Sequence, residues 1–325
     1  MLGERVEPTD ENAPQAGYLR AQALLRRGDF ENGWREYEWR LKVPGTAGGI
    51  PPEDWPRWDG RPLPDGRRLL IFCDQGRGDI IQFARYIRWV ADRCPDLAVC
   101  CPGEMWPILR QFPRVRLLVE HWYQAGDCVA YVPICSLPYV AATRMDSIPA
   151  PVPYLRSNPV LSDRWRTWLE RMLPSGYRRI GLVWAGNPYH FNDRNRSMDP
   201  QHLAPLMALP GVAYVALQMG DARARFGGLF GRAPMANAGA EIRHFGDTMA
   251  LLDQLDLSIA VDTGVVHLAG AMGRPVWVLL PHFADWRWLA GREDSPWYPT
   301  MRLFRQPAPG DWGGVVKQTM RSLVA

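Results

Sequence analysis

Two rhythms of apolar residues run along this chain. Near its start they recur at helical spacing. Leu19, Ala23 and Leu24 mark one face of a first helix, Tyr18–Arg27, and Phe30, Trp34, Tyr37 and Leu41 mark a second, Phe30–Leu41, with Gly28-Asp29 as the break between them. From residue 68 onward the pattern changes, and short apolar runs alternate with helical stretches. Arg68–Cys73, Leu97–Cys101, Val115–Val119 and Val129–Pro133 read as strands, with helices at Ile80–Ala91 and Glu104–Gln111. The Pro-rich stretch Ile148–Tyr154 interrupts this alternation, which then restarts. Strands are expected at Arg179–Val183, Val212–Leu217, Leu257–Val261 and Pro275–Leu280, and helices at Leu161–Met172, Gln201–Ala208, Thr248–Gln254 and Gly264–Met272. Runs that are apolar throughout suit strands buried on both faces, so the expected sheets are parallel with helices on either side. The predicted organisation is a disordered tail (1–16), a helical hairpin (17–42), a linker (43–66) anchored by Trp55 and Trp58, and two Rossmann-like α/β units, 67–155 and 156–325. A last helix at Gly314–Leu323 is expected to pack back across the first unit. Two such units facing each other form a cleft, and ligands of such sheets sit at the carboxyl ends of strands.

Composition narrows the class. A chain of 325 residues can bury two cores, and 47% hydrophobic with 22% charged residues is the balance of an ordinary globular protein. The formal charge is +4, Lys occurs only at Lys42 and Lys317, and the Arg residues are scattered, so no nucleic-acid partner is expected. No apolar run reaches membrane-spanning length, and the first residues carry no signal-peptide pattern. The six cysteines (Cys73, Cys94, Cys100, Cys101, Cys128, Cys135) lack zinc-type spacing, which makes a reducing cytoplasm the expected setting.

The residues able to carry chemistry gather at predicted strand ends. Leu257–Val261 leads into Asp262, and Thr263-Gly264 opens a helix whose free N–H groups and dipole favour a phosphate. Gly264 lets a ligand approach the backbone, and His267 lies one turn on, on the side of Thr263. Helix capping by Asp262 or Thr263, with His267 packed in the interior, accounts for the same residues without a ligand. After the first strand comes Gln75-Gly76-Arg77-Gly78-Asp79, where Asp79 is either a reactive carboxylate or the N-cap of the next helix. The loop following Arg179–Val183 is dense in polar groups, among them Asn187, Arg194, Arg196 and Ser197. Gln218, after Val212–Leu217, either touches the base or ribose of a nucleotide or satisfies a strand end. Asp285-Trp-Arg-Trp288 and Ser295-Pro-Trp-Tyr-Pro299 carry aromatics that can stack on a sugar or pack a long loop. Neither an Asp-x-Asp triplet, nor a G-x-G-x-x-G after the first strand, nor a P-loop occurs, so a metal-clamped diphosphate, NAD and NTPase chemistry are not expected.

The pattern Asp-Thr-Gly-x-x-His-Leu-Ala-Gly-Ala-x-Gly-x-Pro, starting at Asp262, resembles the nucleotide-sugar-binding signature of the bacterial heptosyltransferases, glycosyltransferase family 9. The resemblance implies a GT-B fold, two Rossmann-like domains across a cleft. It implies that Asp262, Thr263, Gly264 and His267 hold the diphosphate and ribose of the donor, and that Asp79, in a Gly-Asp pair after the first strand, is the catalytic base. It further implies that a basic residue of the 184–197 loop contacts the phosphates, with Arg196 the better positional match and Arg194 the second. Gln75, Gly76, Gly78, Asn187 and Ser197 are the supporting candidates. Family members tend to carry a His and a Leu-Pro where this chain has Gln82-Phe83-Ala84-Arg85-Tyr86, a departure expected to bear on the acceptor. The pattern Gly28-x-Phe30-x-x-Gly33-x-x-x-Tyr37 resembles the middle of one tetratricopeptide repeat, and the whole resembles a subgroup with such repeats fused to the transferase. The implied function is inverting, metal-independent transfer of a sugar from a nucleotide-sugar co-substrate, without a further cofactor, to a hydroxyl of a glycan or protein. The rivals are a non-catalytic scaffold acting through the hairpin and a nucleotide-sugar epimerase.

Overall fold

The computed structural model describes residues 13–52, 54–64, 66–149, 151–229 and 231–324; residues 1–12 of the tail expected at 1–16 lie outside the described residues. Residues 13–16, read as tail, instead form the first turn of helix α1, Ala13–Arg26, where Pro14 is tolerated because first-turn N–H groups have no helical partner anyway. Helix α2, Phe30–Tyr37, follows a turn in which Gly28 takes φ +86° and the Asp29 carboxylate accepts the Asn32 N–H at 3.2 Å. The stretch predicted to continue α2 tightens into a 3-10 segment, Glu38–Lys42. The linker is not free: Trp58 N–H donates to the Tyr131 carbonyl at 2.8 Å and Tyr131 N–H to that of Pro56 at 3.0 Å, so residues 56–58 extend the first sheet.

The first sheet contains β1 (Arg68–Phe72), β2 (Asp96–Cys100), β3 (Val115–Val119) and β4 (Cys128–Pro133), all parallel, in the order β3-β2-β1-β4. Its helices are α3 (Arg77–Phe83), α4 (Ile87–Ala91), α5 (Trp106–Leu109) and α6 (Leu137–Val140). The second sheet contains β5 (Arg178–Val183), β6 (Val212–Ala216), β7 (Met235–Asn237), β8 (Leu257–Val261), β9 (Val276–Leu280) and β10 (Met301–Arg305), also parallel, in the order β10-β9-β8-β5-β6-β7. Around it lie α7 (Pro159–Met172), α8 (Asp193–Arg196), α9 (Phe245–Leu252), α10 (Gly264–Ala271) and α11 (Trp312–Val324). Strand order reverses between β1 and β4 in the first sheet and between β5 and β8 in the second. Neighbouring loops diverge at such points and leave a crevice.

Three expectations are corrected. The stretch at Gln201–Ala208 is a 3-10 segment, Pro200–Ala208, because Pro205 removes a helical hydrogen bond. Strands β7 and β10 went unpredicted; β7 has three residues, and β10 interleaves Arg302 and Arg305 with apolar residues at a sheet edge. Helix α11 does not cross to the first unit. The link from β10 is short, so Trp312, Val315 and Val316 fall on their own sheet, in one cluster with Ile180, Leu182, Tyr214 and Ile259.

Candidate active site

The two sheets meet at two helix starts. Helix α3 begins three residues earlier than the apolar pattern predicts, and Gly76 is its N-cap, which places Asp79 inside the first turn. The Asp79 carboxylate therefore does not cap as an N-cap residue; its Oδ2 reaches back to the Gly76 N–H at 2.9 Å. Its Oδ1 accepts from Arg287 Nη2, which belongs to the loop after β9 in the other sheet. Arg287 Nη1 donates to Asp285 Oδ1 at 2.7 Å, and the guanidinium lies 4.1 Å from the centre of the Trp286 ring. Burial raises the Asp79 pKa above the usual aspartate value, with the Arg287 charge working against it. Asp285 is held below its usual value: burial opposes ionisation, but Arg287 outweighs it.

Facing α3 is the amino end of α10. Thr263 is its N-cap in an extended conformation, yet its hydroxyl makes no cap hydrogen bond, and Oγ1 is buried without a partner among the described residues. Capping is thus not what the Thr263 side chain does here. Asp262 just before it is pushed up to about 6, by burial first and then by the negative charge of Asp285. His267 is 4% exposed, its Nδ1 lies 3.1 Å from the Tyr298 hydroxyl, and its ring stacks on Trp288 with centroids 5.2 Å apart. Burial, and then the nearby Arg287 charge, lower its pKa to about 3, so the imidazole is neutral at physiological pH. The two helices touch at Gly78: a Cβ there would sit 3.0 Å from His267 Cδ2 and 3.8 Å from the Gly264 Cα. A Cβ there would press the His267 ring back by a few tenths of an ångström, and the close approach brings the Asp79 turn onto the α10 turn.

The loop after β5 supplies the third side. Arg196 is 16% exposed and pairs with Asp193 at 3.4 Å, while Arg194 lies exposed. The charge of Arg196 is felt at both Asp262 and His267, so it acts electrostatically on the α10 turn. Ser197 Oγ accepts the Gly186 N–H and donates to Asp193, both at 2.9 Å; Asn187 Oδ1 accepts the Tyr189 N–H at 3.1 Å in an exposed turn. These two shape the loop. Gln218 takes the second of its two readings. Its Oε1 accepts the N–H groups of Trp184 at 3.1 Å and Ala185 at 2.9 Å, and its Nε2 donates to the Met219 carbonyl, so the side chain ties β6 to the β5 loop and offers little to a nucleotide. Gln75 accepts from the Tyr37 hydroxyl at 2.9 Å and so links the hairpin to the turn after β1. At the carboxyl ends of β6 and β7 lies a cavity of about 390 Å³, lined by Gly220, Asp221, Arg223, Ala224, Gly227 and Asn237.

Sequence reasoning took Asp285-Trp-Arg-Trp288 for its aromatics and missed Arg287. The signal was a cation flanked by two indoles with a carboxylate two residues before it. Leu289, which ends this turn, combines φ +52° with ψ 175°, a sparsely populated region that glycine favours, at a cost of about 1–3 kcal/mol. Arg305 Nη2 holds the turn through the Leu289 carbonyl at 2.8 Å. Tyr18 and Tyr37 of the hairpin were missed as well. Burial raises both hydroxyl pKa values, and both feel the Asp79 and Arg287 charges. The departure at Gln82–Tyr86 has a different meaning from the one expected: all five residues are at most 1% exposed, so the difference lies in the core between the sheets.

Two parallel doubly wound sheets with their switch points facing each other make this a GT-B fold. The solved ADP-heptose lps heptosyltransferase II of E. coli superposes with a TM-score of 0.59 at 15% identity over 79% of this chain and 98% of that one. A family 9 glycosyltransferase of Veillonella parvula gives 0.58 at 10% identity, over 81% and 98%. Residues 243–280, the segment holding α9, β8 and α10, match the sequence model of glycosyltransferase family 9 (heptosyltransferase). Protein FlbA of Caulobacter vibrioides is 27% identical over 93% of this chain, which spans only 54% of that relative's length.

Proposed function

We propose that this chain is a glycosyltransferase that moves a sugar from a nucleoside-diphosphate donor to an acceptor hydroxyl of a glycan or protein, with inversion and without a metal. One observation carries the reading: the turn that holds Asp79 and the amino end of α10 belong to different sheets and touch at Gly78, while Arg287 of the second sheet reaches the Asp79 carboxylate. The acceptor O–H gives its proton to Asp79 as the oxygen bonds to the anomeric carbon. The bond from that carbon to the phosphate oxygen breaks, and the nucleoside diphosphate leaves with the electron pair. The first N–H groups of α10, the free Thr263 hydroxyl and Arg196 receive its charge; one well-placed donor of this kind contributes about 3–4 kcal/mol. Strands are about 4.8 Å apart, so the cavity at β6–β7, two to three strands from β8, lies about 10–15 Å from α10, the reach of a nucleoside diphosphate. There the buried Asn237 Oδ1, unpartnered among the described residues, suits an N–H group of the base.

The scaffold reading has less support, because Phe30, Trp34 and Tyr37 of the hairpin are buried within this chain. The hairpin's likeness to one repeat of a fused tetratricopeptide array is retained only as part of the proposal. No helix among the described residues is long and apolar enough to cross a membrane, and all six cysteines are free, which suits the proposed reducing cytoplasm. Replacing Asp79→Asn is expected to reduce transfer by about 10²–10⁴-fold. Transfer at the parental rate, or loss of activity on adding a chelator, would count against the base and the metal-free mechanism respectively.

A further inference from the structure

The proposed base carries a guanidinium on one oxygen. Arg287 makes Asp79 a weaker proton acceptor than burial alone would, because taking the proton means giving up the ion pair. Arg287, which makes that pair, is 10% exposed and joins two sheets. Its anchorage is one-sided. Asp285 accepts both its backbone N–H at 3.0 Å and its Nη1 at 2.7 Å, and the Trp286 ring supports the guanidinium plane. Nη2 can therefore leave Asp79 while the rest of the group stays in place. The charges of Arg287 and Arg196 both reach Asp262 and His267, so Arg287 already lies within range of an anion seated on α10. A diphosphate offers a guanidinium more charge and a matching pair of oxygens.

Resting on the transferase reading above, we infer that Arg287 is a cation shared between the base and the donor: it neutralises Asp79 until a nucleoside diphosphate draws Nη2 away, so that donor binding itself frees the carboxylate. Asp79 and the diphosphate then compete for one guanidinium. Arg287 is a positioning residue for the base and a binding residue for the donor, and it keeps Asp79 inactive toward an acceptor that arrives first.

Competition gives a result that a purely structural ion pair does not. Titration calorimetry with ADP, GDP and UDP is run on the parent, Asp79→Asn, Arg287→Gln and the double variant. Among the nucleotides that bind the parent, Asp79→Asn is expected to bind about tenfold more tightly, a gain of about 1.4 kcal/mol. Arg287→Gln is expected to bind at least tenfold more weakly, and adding Asp79→Asn to it should change nothing further. Arg287→Lys, which keeps charge but loses the fork, should fall between parent and Gln, and melting curves establish that each variant is folded. Equal affinity of the parent and Asp79→Asn, or a gain from Asp79→Asn that persists without Arg287, overturns the sharing of the cation and leaves the donor site standing. Failure of all three nucleotides to bind the folded parent overturns both the sharing and the donor site.

Discussion

Asp262 shows how a single residue sets the behaviour of this site. Its pKa of about 6 is raised by burial and by Asp285, so the carboxyl loses its proton between pH 5 and 7. The ionised form repels a diphosphate and the neutral form does not. Affinity for nucleoside diphosphates should therefore fall as pH rises through that window, and Asp262→Asn should flatten the fall; calorimetry on the two proteins at matched pH values separates this from titration of the nucleotide. Asp79, also raised, should give kcat/KM an acid limb above the ordinary aspartate pKa, because the base works only when deprotonated. Arg40 makes a stability prediction. It and Asp74 are fully buried and 2.9 Å apart, and Arg40 also donates to Ser136 Oγ at 2.8 Å. Arg40→Ala leaves the Asp74 charge buried and unpaired, a loss of about 3–5 kcal/mol to be read from urea unfolding. Asp79, Arg196 and the α10 turn were legible because their residue types stand at strand ends. Gln218 stayed ambiguous for the same reason: a strand-end position suits either role, and nothing local announces the Trp184 and Ala185 N–H groups that its amide oxygen accepts. Arg287 stayed hidden because its partner, Asp79, lies far away in sequence.

The hairpin is the element whose role changed most between sequence and structure. Its periodicity revealed the two helices, and the need to bury their apolar face was plain. What covers that face was not legible, since contacts between distant segments leave no local pattern. Trp34 packs edge-on against Trp286 and Phe83, and Phe30 stacks on Trp297, with centroids 5.3, 6.2 and 5.6 Å apart. Ala290 N–H donates to the Arg26 carbonyl at 3.0 Å. The element thus grips the turn that carries Arg287 while Tyr37 and Arg40 grip the end of β1. Trp34→Ala should cost about 3–5 kcal/mol and lower both the melting temperature and transfer activity. An unchanged melting temperature would mean the hairpin is merely appended.

At the scale of the molecule, the two sheets share an interior. One apolar cluster runs from Leu69 and Ile71 of β1 through Phe83, Trp34 and Trp297 to Val276 and Val278 of β9. Tyr154, in the connecting stretch, donates its hydroxyl to the Ile81 carbonyl at 2.9 Å and its backbone N–H to that of Ala271 at 3.0 Å, and buried Arg85 reaches the Trp297 carbonyl at 2.8 Å. Thermal unfolding should accordingly be one transition, with calorimetric and van't Hoff enthalpies equal. Two resolved transitions would mean that the seam is weaker than its packing implies. The doubly wound halves were readable from alternating runs; the extent of the seam was not, because aromatic residues of loops build it.

The aromatic grip on Trp34 also dictates a timetable. Chains usually fold from the amino end as they leave the ribosome, at about 5–20 residues per second. Here the first helices need Trp286 and Trp297, roughly 250 residues later in the chain. At that pace the newborn hairpin waits about 12–50 seconds with its indole and phenyl rings uncovered. Nascent chains stalled before residue 286 should consequently hold these rings open to chaperones, whereas chains released at full length should not.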